Sequence, residues 1–239
     1  MLDTSLDAAE TPVESAQGRA QIQMNYSLAM LTQVAGDPEF GPQVRVYSPL
    51  PTVAFSRRET YLPGFEEAAQ AARSLGYEPV IRTSGGRAVA YDSQSLVFDL
   101  VVPEPTLRFT SEFIFRELGH TLVAMLRTMA VDARLGPVDR EYCPGQYSVN
   151  ARGKVKLIGT SQRAARGARL ISGVLLLGNT AEVQTVLTAV NQALVFDWDP
   201  ATVGALFDEV GPLEHERVKS FIAAELRQFG EQLFRQDYA

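Results

Sequence analysis

The stretch Ser-Leu-Val-Phe-Asp-Leu-Val-Val at residues 95–102 decides the fold class of this chain. In an extended segment, successive side chains point to opposite faces. The two faces carry, in turn, Leu96, Phe98 and Leu100, and then Val97, Asp99 and Val101. Because both faces are largely apolar, we predict a strand that is covered on both sides by other elements.

Helical and strand-like patterns alternate on either side of this strand. The strongest helical pattern spans Ser111 to Ala133, and its apolar stripe consists of Leu118, Leu122, Met125 and Met129. Further helices are predicted at 24–35, 65–75, 180–194 and 218–229, and further strands at 44–47, 52–55, 79–82, 146–149, 154–158 and 169–177. Since residues 150–153 form a hairpin-like turn, we predict an α/β chain of the α+β mixed type, with a mixed β-sheet packed against helices.

Composition indicates an ordinary globular protein. The chain has 239 residues, of which 46% are hydrophobic and 21% are charged. Residues 1–20 are polar and acidic, so we expect a flexible tail there and a single domain over residues 21–239.

Charge and cysteine content exclude several classes of function. A net charge of −6 disfavours nucleic-acid binding, and the chain has no apolar run long enough to span a membrane. One cysteine and two histidines, scattered along the chain, do not form the usual metal cages, so no metal site is expected. The N-terminus carries no basic signal-peptide region, and we expect a cytoplasmic protein.

The first candidate site is the segment Arg-Thr-Ser-Gly-Gly-Arg-Ala-Val at residues 82–89, directly after a predicted strand. Glycine lets backbone N–H groups approach a ligand closely, and arginine can hold a carbonyl, carboxylate or phosphate. The alternative is a plain Gly-Gly hairpin turn.

The second candidate site is Cys143, in the segment Glu-Tyr-Cys-Pro-Gly-Gln-Tyr at residues 141–147. A lone cysteine is commonly a small buried apolar residue. Pro144 and Gly145 instead indicate a loop, where a thiolate nucleophile could receive an acyl group.

The third candidate site is the segment Lys-Val-Lys-Leu-Ile-Gly-Thr-Ser-Gln-Arg at residues 154–163. Lys154 and Lys156 share one face of a strand that we expect Gly159 to end. They could form a solvated edge, or a lysine could polarise an acyl carbonyl and stabilise a nearby thiolate.

In this order, the three segments resemble the biotin/lipoate protein ligase superfamily. The glycine motif of residues 82–89 is followed by a Cys-Pro-Gly loop, and Cys143 lies thirteen residues before Lys156. This arrangement is most similar to the cysteine-dependent octanoyl/lipoyl transferase branch, which is lipoate–protein ligase A-like. The resemblance covers about residues 24–195 and implies the catalytic-domain fold of that superfamily.

The resemblance also implies site residues and partners. Cys143 would carry the acyl group as a thioester, and Lys156 would bind the acyl carbonyl. The substrate-binding positions it implies are Arg82, Ser84, Gly85, Gly86, Arg87, Val89, Asp92, Gly145, Gly159, Ser161 and Gln162. An octanoyl or lipoyl group would move between lipoyl-domain proteins, namely the glycine-cleavage H protein and the E2 subunits of 2-oxoacid dehydrogenases, and no cofactor would be required.

Two further expectations concern the surroundings of this site. Leu96, Phe98 and Leu100 are candidates for the wall of an acyl tunnel, although they could equally be plain core. Arg163, Arg166 and Arg169 could form a positive face for an acidic lipoyl domain.

Two alternatives remain open from the sequence. An ATP-dependent lipoate or octanoate ligase would form an acyl-adenylate with ATP and Mg. Such ligases usually carry His-Asp-x-Gly-Asn after the glycine motif, whereas residues 91–95 are Tyr-Asp-Ser-Gln-Ser, which favours transfer. A non-catalytic protein that binds lipoyl domains or an acyl ligand is the other alternative.

Overall fold

The computed structural model describes residues 18–106 and 108–237. Its α-helices are α1 (Arg19–Gly36), α2 (Phe65–Ser74), α3 (Ser111–Thr128), α4 (Thr180–Ala193), α5 (Leu206–Val210) and α6 (His215–Asp237). Its strands are β1 (Gln43–Tyr47), β2 (Thr52–Ser56), β3 (Glu78–Arg82), β4 (Val89–Tyr91), β5 (Ser95–Glu104), β6 (Ala133–Leu135), β7 (Val149–Ala151), β8 (Val155–Ala165) and β9 (Gly167–Leu176).

A large antiparallel sheet forms the centre of the fold. Its strand order is β1-β5-β9-β8-β7-β6, and every residue of β5 is buried. β5 pairs with β9 along its full length, in a register that sets Phe98 opposite Gly173. A Cβ atom at Gly173 would lie 2.1 Å from the Phe98 ring, so this register requires glycine at position 173.

The first face of the large sheet packs against α3 and α6. The apolar stripe that was predicted for α3 contributes Leu118, Leu122 and Met125, and α6 contributes Ile222 and Leu226. The largest hydrophobic core therefore lies on this face.

The second face of the large sheet is covered by α1 and by a smaller sheet. In this smaller sheet β2 is central, with β3 parallel on one side and β4 antiparallel on the other. Helices α2 and α4 pack on the smaller sheet through alanine and valine side chains, among them Ala68, Ala72 and Val183. The predicted α/β class with sheets packed against helices is confirmed, with two sheets instead of one.

Several predicted boundaries were wrong, and the strand predicted at 146–149 lies instead at Val149–Ala151. The α3 helix ends at Thr128, because the chain adopts a left-handed conformation at Ala130 (φ 66°), and Ala133 belongs to β6. The predicted hairpin turn is shifted to residues 152–154, where positive φ angles reverse the chain. Strand β8 does not end at Gly159 but continues to Ala165.

The predicted tail lies mostly outside the described residues, but α1 already begins at Arg19. Across 18–106 and 108–237, no helix combines the length and the apolarity that crossing a bilayer requires.

Candidate active site

A cavity of about 560 Å³ lies between the second face of the large sheet, α1 and the smaller sheet. It brings together all three segments that the sequence singled out. The predicted site residues that line it are Arg82, Ser84, Gly85, Gly86, Val89, Cys143, Gly145, Lys156, Gly159, Ser161 and Gln162.

The glycine segment is not a hairpin turn. It joins β3 to β4, which lie on opposite sides of β2, so the chain crosses over the end of β2. The buried carboxylate of Glu59 fixes this crossing, because it accepts hydrogen bonds from the Ala88 N–H (2.7 Å) and the Ser56 N–H (2.7 Å). Arg82 Nη2 also donates to the Arg87 carbonyl oxygen at 2.7 Å.

Gly86 brings this segment against the cysteine. Its φ is +102°, a conformation that L side chains rarely adopt. A Cβ atom there would lie 3.1 Å from Cys143 Sγ and 2.7 Å from Arg82 Nη2. The next residue, Arg87, donates its backbone N–H to Cys143 Sγ at 3.2 Å, so a hydrogen bond joins the glycine segment to the sulfur.

The loop that carries Cys143 is closed by a buried carboxylate from its own chain. Glu141 Oε1 accepts hydrogen bonds from the Gly145 N–H and from Ser148 Oγ, both at 2.7 Å. These bonds hold the loop around the Glu141 carboxylate. Cys143 is partly exposed and lines the cavity.

Lys156 reaches the same loop from strand β8. Its Nζ donates to the Cys143 carbonyl oxygen at 2.6 Å and lies 3.6 Å from Glu141 Oε1. The side chains of Lys156 and Glu141 are only 4% and 0% exposed. A Cβ atom at Gly159 would lie 3.1 Å from Lys156 Cε, so glycine at position 159 leaves space for the lysine.

The ring of Tyr142 also lies beside the ammonium group of Lys156. Lys156 Nζ lies 5.0 Å from the ring centroid, which is within the range of a cation–π interaction. Burial, and then the neighbouring Cys143, raise the pKa of Tyr142 above its ordinary value. The phenol therefore stays neutral. Glu141, and not Tyr142, is the ion-pair partner of Lys156.

The far end of the cavity is polar, which the sequence did not predict. Asp99 accepts hydrogen bonds from Ser27 Oγ and Ser172 Oγ, both at 2.6 Å, and Arg45 Nη1 lies 3.7 Å away. Burial raises the pKa of Asp99, and these partners oppose the rise.

Several expectations about the surroundings need correction. Leu96, Phe98 and Leu100 point to the opposite face of β5, into the core against α3 and α6, and Val97 and Asp99 line the cavity instead. Arg169 is buried and pairs with Glu104 at 2.6 Å, so it is not part of a surface.

Two predicted substrate-binding residues lie outside the cavity lining. Arg87 contributes its backbone N–H to the cysteine sulfur, and its guanidinium lies over the Phe196 ring, 4.3 Å from the centroid. The Asp92 carboxylate is buried and accepts hydrogen bonds from Tyr77 and Asn179. Asp92 is therefore engaged by its own buried partners and does not face the cavity.

Sequence reasoning missed the supporting acids Glu59 and Glu141. Glu141 lies two residues before the cysteine, and an acidic residue beside a Cys-Pro-Gly loop is a signal that could have been used. Glu59 lies 29 positions from its partner Ala88, and no local pattern connects the two.

Comparison with known proteins gives the family. The sequence profile described as the lipoyl protein ligase A/B catalytic domain matches residues 20–227. An octanoyl-[GcvH]:protein N-octanoyltransferase from Geobacillus kaustophilus (strain HTA426) is 32% identical over 136 residues, which are 57% of this chain and 48% of the relative. A lipoyl-[GcvH]:protein N-lipoyltransferase from Listeria monocytogenes (serovar 1/2a, strain EGD-e) is 32% identical over 117 residues, 47% of this chain and 40% of the relative. The matched segment thus spans about half the length of these relatives.

A solved structure agrees with this assignment at the level of the fold. The crystal structure of a lipoate-protein ligase A bound with ATP has a TM-score of 0.62 and 18% identity to this chain, and the match covers 88% of this chain and 90% of that one. The matched profile covers most of the chain and includes the glycine, cysteine and lysine segments. The resemblance seen in the sequence is therefore confirmed, and the chain belongs to the lipoyl protein ligase A/B catalytic-domain family.

Proposed function

We propose that this chain is an acyltransferase that moves an octanoyl or lipoyl group between lysines of lipoyl-domain proteins, through a thioester on Cys143. The observation that carries the proposal is the environment of the sulfur. It accepts the Arg87 N–H at the edge of a cavity of about 560 Å³ that Lys156 also lines. The names of the two relatives add the H protein of glycine cleavage as the donor, and E2 subunits are the acceptors we propose.

In the first half-reaction, Cys143 Sγ attacks the acyl carbonyl carbon of the modified lysine on the donor protein. The new C–S bond replaces the C–N bond, and the donor lysine leaves as an amine that takes up the proton of the thiol. Splitting the transfer into two steps replaces one difficult displacement with two easier ones.

In the second half-reaction, an unprotonated lysine amine of the acceptor attacks the thioester carbon. The C–S bond breaks, the sulfur regains its proton, and the acyl group is left in amide linkage. Both half-reactions pass through an oxyanion, and one well-placed donor is worth about 3 kcal/mol to such a state. Lys156 Nζ, 2.6 Å from the Cys143 carbonyl oxygen, is the cationic donor we assign to it.

We propose further that the reaction uses neither ATP nor a metal ion, since the acyl group already arrives as an amide. The alternative is ligation through an acyl-adenylate, which the likeness in fold to an ATP-bound ligase keeps open. Pyrophosphate release separates the two. We expect none when ATP, Mg²⁺ and free octanoate are added, and steady release would contradict transfer.

A transfer assay tests the role of the cysteine. Wild type should move octanoyl from a modified H protein to an E2 lipoyl domain, and Cys143→Ser and Cys143→Ala should reduce the rate at least a hundredfold while unfolding at the same temperature. His120→Ala is a matched control, because His120 is an exposed residue of α3 that does not line the cavity. Full activity of Cys143→Ala would exclude the thioester route.

A further inference from the structure

The far end of the cavity is built from a buried carboxylate with two hydroxyl partners. Asp99 lies on β5 and is 2% exposed, while Ser172 comes from β9 and Ser27 from α1. Each oxygen of the carboxylate accepts one serine hydroxyl at 2.6 Å. Three separate elements thus converge on one polar group inside the cavity, at a place where the proposed transfer mechanism has no use for it.

The sheet register gives the distance from the reacting end to this cluster. Gly159, which adjoins the Lys156 side chain, pairs with Val174, and Val174 pairs with Val97 on β5. Asp99 therefore lies two strands across and two residues along the sheet from Gly159. Strand spacings of about 4.8 Å and a rise of about 3.4 Å per residue put the two backbones about 12 Å apart. That span is comparable with the reach of an extended eight-carbon acyl chain.

Between these two ends the cavity wall is mostly apolar. The sheet register places Val174 and Val97 between the two ends, and Met24, Leu28 and Ala54 add apolar side chains to the cavity lining. Methylene groups of an acyl chain can pack here without covering a charge. An acyl chain can therefore pack favourably along the apolar part of the wall, but not against the carboxyl group of Asp99.

We infer that Asp99, held by Ser27 and Ser172, sets the length of the acyl chain that this site accepts. The inference rests on the proposed acyl transfer and adds to it a limit on the substrate class. An eight-carbon chain ends before the carboxylate. Each additional methylene has to press against a buried carboxyl group, which cannot form a hydrogen bond to hydrocarbon and loses its remaining polar surroundings. Octanoyl and lipoyl groups are accepted, and decanoyl and longer groups are rejected.

The test replaces the whole polar cluster. Ser27→Ala, Asp99→Ala and Ser172→Ala are combined, because removing hydrogen-bond partners together leaves no hydroxyl without an acceptor. Arg45 keeps its hydrogen bond to the Gln23 carbonyl oxygen and its stacking on the Tyr47 ring. Asp99→Asn is the matched variant, since it keeps the volume and replaces the carboxylate by a neutral amide that has one acceptor oxygen fewer.

The measurement is the rate of acyl-enzyme formation from small-molecule thioesters with chains of six to twelve carbons. The ratio of the decanoyl to the octanoyl rate should rise about tenfold in the triple variant, because a tenfold ratio corresponds to the free energy of burying two methylene groups. In Asp99→Asn the ratio should rise by a smaller factor. An unchanged ratio in both variants would overturn the inference. If the triple variant does not fold, an unchanged ratio in Asp99→Asn alone would overturn it.

A binding series separates this inference from the proposed function. Free octanoate and decanoate are titrated calorimetrically into Cys143→Ser, with and without the Asp99 changes. If wild type forms no acyl-enzyme with any chain, the proposed transfer is wrong. The change in the binding ratio of the two fatty acids then still decides whether Asp99 limits chain length.

Discussion

Gly86 holds the glycine segment in the one backbone conformation that brings the Arg87 N–H to the sulfur of Cys143. We expect Gly86→Ala to lower the rate of acyl-enzyme formation about a hundredfold, because its methyl group would displace the sulfur and Arg82 from their present positions. Single-turnover kinetics with an octanoyl thioester measure the rate, and thermal unfolding verifies that the variant is folded.

Gly85 offers a matched comparison for this substitution. No atom lies within 4 Å of a Cβ built there, and its backbone is not in the left-handed region. Gly85→Ala should therefore lose far less activity than Gly86→Ala. Equal losses in the two variants would show that the segment needs flexibility at both glycines and not one specific conformation.

Glu141 supplies the negative partner of a lysine that is almost completely buried. Glu141→Ala should lower the free energy of unfolding by about 3–5 kcal/mol, because it leaves Lys156 charged, buried and without its ion pair. Urea unfolding at pH 7 measures this change. The same substitution made together with Lys156→Met should cost clearly less, and a cost below about 1 kcal/mol for Glu141→Ala alone would contradict the reading of a buried pair.

Among the elements, β9 depends on a single glycine for its pairing with β5. Gly173→Ala should lower the free energy of unfolding by about 3 kcal/mol, because its Cβ would overlap the fully buried Phe98 ring. The cost should shrink in a Phe98→Leu background. Gly178→Ala is the control, since its nearest neighbour would be 3.6 Å away, and an equal cost at both glycines would show that contact with Phe98 is not the cause.

The elements themselves were largely predictable, because their apolar periodicity is strong. The stripe of α3 and the apolar run of β5 both appear where the sequence placed them. The predictions that failed concerned where elements end and which face of a strand meets the cavity. A strand that is apolar on both sides does not reveal which side meets the cavity, so Leu96, Phe98 and Leu100 were given a possible lining role that Val97 and Asp99 have.

The candidate site was predictable as far as its motifs extend. Cys143, Lys156 and the glycine segment were found from local sequence, and they line one cavity. Glu59 and Ser27 could not be found in this way, since each acts on a residue that only the folded chain brings near. Tertiary contacts of this kind leave no periodic or spaced signal in one sequence.

At the scale of the whole molecule, the layers separate the side that holds the cavity from the side that holds the largest core. Helices α3 and α6 cover one face of the large sheet, and the cavity lies on the other. The proposed transfer requires a carrier protein that presents an acyl-lysine to approach the cavity side. The exposed Arg163, which lines the cavity and donates to the Thr83 carbonyl oxygen, is the part of the expected positive face that lies on this side.

Arg163→Glu should reduce kcat/KM for an acidic lipoyl domain about tenfold at low salt and less at high salt, because screening weakens the interaction of exposed charges. Arg235→Glu makes the same charge change on α6, on the other side of the sheet, and should have little effect. Steady-state kinetics at two salt concentrations measure both. An equal reduction in the two variants would indicate net charge as the cause and not a docking face.

The most direct measurement is the intact mass of the purified chain after mixing with an octanoylated carrier protein and no ATP. The account predicts a mass increase of one octanoyl group on wild type, located on the peptide that contains Cys143, removed by hydroxylamine and lost on addition of an acceptor lipoyl domain. Transfer of octanoyl to the acceptor with no acyl group ever found on Cys143, even after rapid acid quenching, would contradict it.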